Sequence, residues 1–246
     1  PRQPAPAGRR GAGSHKQQVV FIMSYISRDV LTAGQKRYLK VKRAFDVCFA
    51  LLLLLLLWPL MLLAALWVKL ESPGPAIYSQ RRPGYHQKIF SIYKFRSMRV
   101  ETTRNGVPLS DEERVTRSGK ILRKTSIDEL PQLFNILKGE MSLIGPRPQL
   151  INDLETFTGE QLIRFEVLPG ITSWTAIHGR NMIAVQEKYD LDVYYVRHIG
   201  FKIDAEIFFK TIPVVLSQEN TVDLINEQIP ASEILSDQEE REPALK

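Results

Sequence analysis

The stretch RKTSIDELPQLFN, residues 123–135, places two acids side by side, Asp128 and Glu129, just ahead of a proline. Pro131 has no backbone N–H, so it is harmless only in the first turn of a helix, where the donors lack intrahelical partners. That reading puts Asp128 at or near the N-cap, its carboxylate fixed and kept ionised by backbone donors and by the positive end of the helix. Glu129 follows about 100° round the helix, so both acids reach one site at its mouth. An isolated Asp-Glu pair is more often a pair of capping acids than a catalytic dyad. The cations elsewhere in the chain alter that balance.

Lys94 and Arg96 lie in IYKFRSM, Arg123 just before the acids, Arg147 between two prolines in SLIGPRPQL, and Arg180 after a glycine in HGRN. Each sits in a short motif whose Pro, Gly or strand residues would aim the side chain. Together they form a candidate set of clamps for phosphate oxygens, a task that suits the planar, multi-donor guanidinium. A carboxylate among them can act as a nucleophile toward phosphorus or hold a divalent cation. The four histidines and one cysteine show no zinc-type spacing, and no P-loop or Rossmann fingerprint is present.

Several elements have to position these residues. Residues 71–98 read as two short extended segments joined by a type II turn on Pro83-Gly84. ETTRNGVPL is a loop with an Asn105-Gly106 turn. Ser110, three residues before Glu113, has capping-box spacing and predicts a helix running to Lys124. Further helices are expected over Glu129–Leu137 and Leu154–Phe165. LPGITSWTAIHGRN predicts a Pro169-Gly170 turn followed by a strand into His178-Gly179-Arg180. From Phe201 to Leu216, Ile203, Ile207, Phe208, Ile212 and Val215 share one helical face, with Lys202, Asp204, Glu206 and Lys210 away from it. Such a helix suits either core packing or a membrane surface.

The remaining feature is an uncharged 22-residue run from Val47 to Val68, long enough for a membrane helix. Residues 1–43 carry ten Lys or Arg against one acid, and residues 217–246 carry eight acids against two bases. Lys36, Arg37, Lys40, Lys42 and Arg43 would meet anionic headgroups, which argues against nucleic acid as the partner of the basic arm. Lys69, Arg81, Arg82 and Lys88 make the far flank basic as well. Pro59, near the centre of the run, clashes with the carbonyl of Leu55 and predicts a kink or break. Composition leaves a spanning helix and a re-entrant one both open. The single cysteine, Cys48, excludes an intramolecular disulfide and points to a reducing compartment. No cleavable signal peptide is evident, and residues 1–22, which precede Met23, are set aside as an upstream remnant.

In order, KRAFD, the proline-centred apolar run, QRRPG, IYKFRSM, SIDELPQLFNILKGEMSLIGPRP, LPGITSWTAIHGRN and LDVYYV closely resemble the bacterial sugar transferase family. The match covers roughly residues 40–216 and looks like the small form of the monotopic polyprenol-phosphate phosphoglycosyl transferases. The resemblance implies a mostly helical α+β fold with a proline-broken re-entrant membrane helix, a small cytoplasmic catalytic domain and interfacial amphipathic helices. The expected organisation is an N-terminal extension (1–35), a basic flank and re-entrant helix (36–70), a phosphoglycosyl transferase domain (71–216) and an acidic extension (217–246). It further implies Mg²⁺, a UDP-sugar donor, a polyprenol phosphate acceptor such as undecaprenyl phosphate, and the cytoplasmic face of the bacterial inner membrane. The family's Asp-Glu dyad maps onto Asp128, as nucleophile and metal ligand, and Glu129. Asp128 would attack the sugar-bearing phosphorus, UMP would leave, and the lipid phosphate would then take the phosphosugar, in glycoconjugate or polysaccharide assembly. A homodimer, or a complex with downstream glycosyltransferases, is left open, as is a non-catalytic membrane scaffold that binds nucleotide sugars. Two positions depart from the pattern: Trp58 stands where small members carry Ser before the proline, and Leu168 replaces the Arg of RPGIT.

Overall fold

In the computed structural model of the protein, residues 30–104, 106–179 and 184–217 are described; Arg180, residues 1–29 of the N-terminal extension and residues 218–246 of the acidic one lie outside them. The fold is α+β and mostly helical. Helix α1, Ala33–Glu71, contains the whole apolar run. Thr32 opens it with a capping box, its hydroxyl accepting from Gln35 N while the Gln35 side chain returns to Thr32 N. Pro59 falls inside this helix, which continues on both sides of it. The proline removes one backbone donor without ending the helix, so of the expected kink or break it is the kink that fits a continuous α1.

Both halves of α1 pack against the same domain. Near its start, Lys42 Nζ pairs with Asp204 Oδ2 at 2.7 Å, and Asp46 accepts from Ser142 Oγ at 2.7 Å and Leu143 N at 3.2 Å. Near its end, Ala64 and Val68 are buried with Phe95 and Leu122. Glu71 then accepts from Arg117 N at 2.6 Å and Ser118 N at 2.7 Å. Between these anchors Leu51, Leu55, Leu62, Leu63 and Leu66 remain exposed, an apolar surface that the other described residues leave uncovered.

Strands β1 (Ile77–Pro83) and β2 (Ile89–Phe95) form an antiparallel hairpin in which Gln80 faces Ile92 and Tyr78 faces Lys94. Their connection is not the expected type II turn. Gly84 has φ −116°, and a 3₁₀ turn over Tyr85–Gln87 takes His86 and Gln87 to positive φ. β3 (Thr103–Arg104) and β4 (Val107–Pro108) pair as a small antiparallel hairpin, and Asn105 of the expected Asn-Gly turn lies outside the described residues.

The predicted helix to Lys124 is split. Ser110 caps α2 (Asp111–Arg114) with the anticipated box, but Thr116 then starts a second helix, α3 (Arg117–Lys124), by accepting from Gly119 N. A 3₁₀ turn at Ile127–Glu129 leads into α4 (Gln132–Lys138). The helix expected over 154–165 is instead two 3₁₀ segments, Ile151–Thr156 and Gln161–Glu166. The strand expected from Gly170 onward is short. Strand β6 (Gly170–Thr172) pairs in parallel with β5 (Ser142–Ile144), and Ser173 then caps α5 (Trp174–Ile177) by accepting from Ala176 N. Local capping hydroxyls thus override the β-branched pattern.

Helices α6 (Val185–His198) and α7 (Phe201–Ser217) close the domain. Ile203 and Ile207 enter the main core with Leu133, Ile136, Met141 and Val196. The proposed apolar face is not one stripe, however: Ile212 is exposed with Phe201 and Phe209, whereas Asp204 is buried. Asp204 turns inward because Lys42, Tyr38 and Tyr195 supply its partners, Tyr38 Oη and Tyr195 Oη donating at 2.7 and 2.8 Å.

Candidate active site

The hairpin and α4 bring the dyad to its cations. Asn135, fully buried six residues after Glu129, accepts from Tyr93 N at 3.1 Å and donates to Ser91 O at 2.7 Å. This amide fastens α4 along β2, so Lys94 stands next to Glu129. Glu129 Oε1 receives Lys94 Nζ at 3.2 Å and Arg147 Nη2 at 2.8 Å. Both are charge-assisted contacts on a mostly buried oxygen.

Asp128 is buried in the 3₁₀ turn, with Lys94, Arg123 and Arg147 as the cations that act on it. Ser126, which begins the turn, takes a left-handed conformation at φ 56°, a strained state for a residue other than glycine. Asp128 is therefore not the cap of a regular helix, and its charge is not favoured in the way the sequence suggested. Burial and the neighbouring Glu129 charge push its carboxyl from the ordinary 3.8 up to about 6, against the pull of the three cations. For Glu129, burial also acts upward, but the charges and hydrogen bonds of Arg147 and Lys94 outweigh it and hold the group well below the usual carboxylate range. The environment divides two adjacent acids into one firmly ionised anchor and one more basic carboxylate that is still mostly charged at neutral pH.

Of the anticipated clamps, Lys94, Arg123 and Arg147 converge here, Arg123 being steadied by Nε donating to Ser97 Oγ at 2.8 Å. Arg180 lies outside the described residues. Arg96 does something else. Its buried guanidinium donates to Ser72 O and Pro73 O, both at 2.7 Å, and to Ser72 Oγ at 3.0 Å. It closes the C-terminus of α1 and is turned away from the dyad, because the carbonyls freed at the helix end attract a donor fork.

Arg147 owes its position to two crowded backbones. A Cβ added at Gly170 would lie 2.1 Å from Gly145 N, and one at Gly145 would lie 2.3 Å from Leu168 O. Only glycines allow this approach of β5 and β6, which sends the Pro146-Arg147-Pro148 segment back over the acids. A small cleft beside the dyad is lined by Arg82, Ile92, Lys94, Gln132, Arg147, Pro148 and Gly170. Sequence reasoning did not single out Gln132, and it assigned Arg82 to the basic flank of the membrane run, whereas the structure buries Arg82 in this lining. Arg82 shares the face of Lys94 through the hairpin register, and Gln132 is the first residue of α4 after the dyad's proline.

Among the described residues no group of three or more His, Cys, Asp or Glu side chains could enclose a metal ion. Since Glu129 Oε1 is engaged by two cations, the Asp128 carboxylate is the available donor. One carboxylate completed by substrate phosphates and water is an arrangement that Mg²⁺ accepts. The residues thus fit a cation that arrives with a diphosphate better than one held in a protein cage.

Comparison with known proteins gives the chain's family. The family described as "Bacterial sugar transferase" matches residues 37–218. The "Uncharacterized sugar transferase EpsL" of Bacillus subtilis is 45% identical over 179 residues, which cover 73% of this chain and 89% of that protein. The "UDP-N-acetylgalactosamine-undecaprenyl-phosphate N-acetylgalactosaminephosphotransferase" of Aeromonas hydrophila is 42% identical over 188 residues, covering 73% of this chain and 44% of that one. The "Undecaprenyl-phosphate glucose phosphotransferase" of Komagataeibacter xylinus is 42% identical over 188 residues, covering 70% and 35%. The chain thus spans less than half of the latter two relatives. By the extent of the family match and the identity to these relatives, this chain belongs to the bacterial sugar transferase family.

Proposed function

We propose that the protein is a phosphoglycosyl transferase that moves a sugar-1-phosphate from a UDP-sugar to a polyprenol phosphate and releases UMP. The observation that carries this reading is the buried dyad: Glu129 bound by Lys94 and Arg147, beside an Asp128 carboxyl raised to about 6. A carboxylate more basic than usual, yet mostly ionised at neutral pH, is suited to attack phosphorus. Relatives named as undecaprenyl-phosphate phosphotransferases support the substrate class.

In the first step an Asp128 oxygen bonds to the sugar-bearing phosphorus while the bond from that phosphorus to the UMP oxygen breaks, and UMP departs with the electron pair. Lys94, Arg123 and Arg147 neutralise the charge that develops on the phosphoryl oxygens. In the second step an oxygen of the lipid phosphate attacks the same phosphorus and Asp128 leaves as a free carboxylate. Glu129 keeps Lys94 and Arg147 aligned through both displacements. Mg²⁺, when bound through Asp128 and the diphosphate, supplies further positive charge at the leaving phosphate.

The proposed membrane arrangement draws its support from α1. Both ends of its apolar run pack on one charged domain, and the exposed leucines lie between them. This supports a helix that enters one leaflet and returns, with the catalytic domain on the cytoplasmic face of the bacterial inner membrane.

Intact-protein mass spectrometry with donor alone tests the mechanism. A phosphosugar adduct and one equivalent of UMP are expected from the parent enzyme and not from Asp128→Asn. An adduct that persists in Asp128→Asn removes the nucleophile assignment, and sequential kinetics without any adduct replaces the two-step route by direct transfer. Absence of UMP release from every UDP-sugar, with lipid phosphate present, leaves the non-catalytic scaffold.

A further inference from the structure

Behind the Arg147 loop lies a buried ion pair that the reaction as described does not use. Arg164 Nη2 donates to Asp192 Oδ2 at 2.7 Å, and both side chains are 2% exposed. The same nitrogen donates to the backbone carbonyl of Arg147 at 2.6 Å. Three aromatic rings enclose the guanidinium, with centroids 5.0 Å away at Phe157, 5.6 Å at Phe165 and 5.3 Å at Tyr189. Isolated in an apolar setting, such a pair contributes little net stability, since desolvation of two charges offsets much of their attraction. Its contact with Arg147 suggests what it does.

The loop is otherwise nearly fixed. Gly145 N donates to Thr172 O at 3.0 Å, and Gly170 N donates to Pro146 O at 3.0 Å. Proline rings lock φ at 146 and 148, and Pro148 restricts the backbone of Arg147 as well. The remaining freedom is rotation of the Arg147–Pro148 peptide plane, and the Arg147 carbonyl is the handle on that plane. A donor fixed there sets the direction in which the Arg147 side chain leaves the loop, and hence its 2.8 Å contact with Glu129.

We propose that Asp192 and Arg164 form a positioning relay: Asp192 orients Arg164, Arg164 holds the carbonyl of Arg147, and Arg147 is thereby aimed at the phosphate site. The inference rests on the reading of Arg147 as a phosphate-binding residue. Neither Asp192 nor Arg164 touches substrate.

The test is a double-mutant cycle on UMP release by the full chain in detergent or nanodiscs. The paired change Arg164→Met with Asp192→Asn removes both buried charges together, so the fold has no lone ion to bury. It is expected to melt within a few degrees of the parent and to lower kcat about tenfold, the worth of one charge-assisted hydrogen bond made in the transition state. In an Arg147→Lys background the same pair should cost less than about twofold, because the group that it aims is already gone. Arg164→Lys keeps a charge opposite Asp192 but ends in a shorter side chain without the planar fork, so one nitrogen is no longer held against both Asp192 and the Arg147 carbonyl. It should show the same non-additivity and covers the case in which the pair fails to fold. An equal loss in both backgrounds, or none in a folded variant, overturns the relay. If Arg147→Lys alone leaves kcat unchanged, the phosphate role of Arg147 fails first, and the relay with it.

Discussion

Asp128→Asn should make the folded protein more stable while abolishing its chemistry. The folded state raises the Asp128 carboxyl from 3.8 to about 6, chiefly by burial and then by the Glu129 charge. The proton is therefore bound more tightly in the folded protein than in the unfolded chain, and ionising the group costs the fold about 3 kcal/mol once the pH exceeds both values. The sign follows directly. The cost is complete above pH 6, fades as pH falls through 6, and is gone below the unfolded value of 3.8. Asparagine has nearly the same size and no charge, so its advantage should appear at pH 7.5 and vanish near pH 4. For a domain of this size about 3 kcal/mol corresponds to a rise in Tm on the order of 5–10 °C. Intrinsic-fluorescence melting of both proteins in one detergent, at the two pH values, measures it. A variant that melts at or below the parent at pH 7.5, or a gap that persists at pH 4, would refute the account of Asp128 as a buried charge held against its preference.

The same carboxyl sets the acid limb of the reaction: UMP release should fall as Asp128 takes up its proton, with a midpoint at about 6 at low Mg²⁺ that moves down as Mg²⁺ is raised, because the cation favours the carboxylate; an acid limb that Mg²⁺ leaves in place would remove Asp128 as the metal's ligand. For topology, cysteines placed near Lys40 and Arg81 in a Cys48→Ser background should be labelled from the same side, and Pro59→Leu should push part of the population toward spanning; labelling from opposite sides in the parent ends the re-entrant reading. Arg96→Met deletes a buried donor fork from the end of α1, so it should destabilise by about 3 kcal/mol or more, measured as a lower Tm, before any effect on phosphate binding is visible. Gly170→Ala must move β5 from β6 to clear Gly145 N, and loss of UMP release with altered loop proteolysis is expected; a fully active, equally stable alanine variant contradicts the close approach.

Sequence alone marked the acidic pair, three of the cations that gather round it and the membrane-length run. An Asp-Glu pair ahead of a proline, an arginine between two prolines, and an uncharged 22-residue run flanked by basic residues are local facts, legible because each depends on residue type and spacing. The hairpin and the capping box at Ser110 are local in the same sense. Tertiary structure decided how the charges are divided. Arg96 and Arg123 both look like clamps in one dimension, yet Arg96 is drawn to the free carbonyls at the end of α1 and Arg123 to the dyad. No spacing rule reveals this, because the helix end that competes for Arg96 lies 24 residues away in the chain. Asp204 and Asp192 sit on helices whose patterns predict exposed acids, but partners from distant elements bury them. An acid on the same buried face as Tyr189 and Val193 was the only local sign of the second pair. The different ionisation of Asp128 and Glu129 is also tertiary. Adjacent residues share their sequence context, and only the placement of Lys94 and Arg147 around one carboxylate gives the two acids different work.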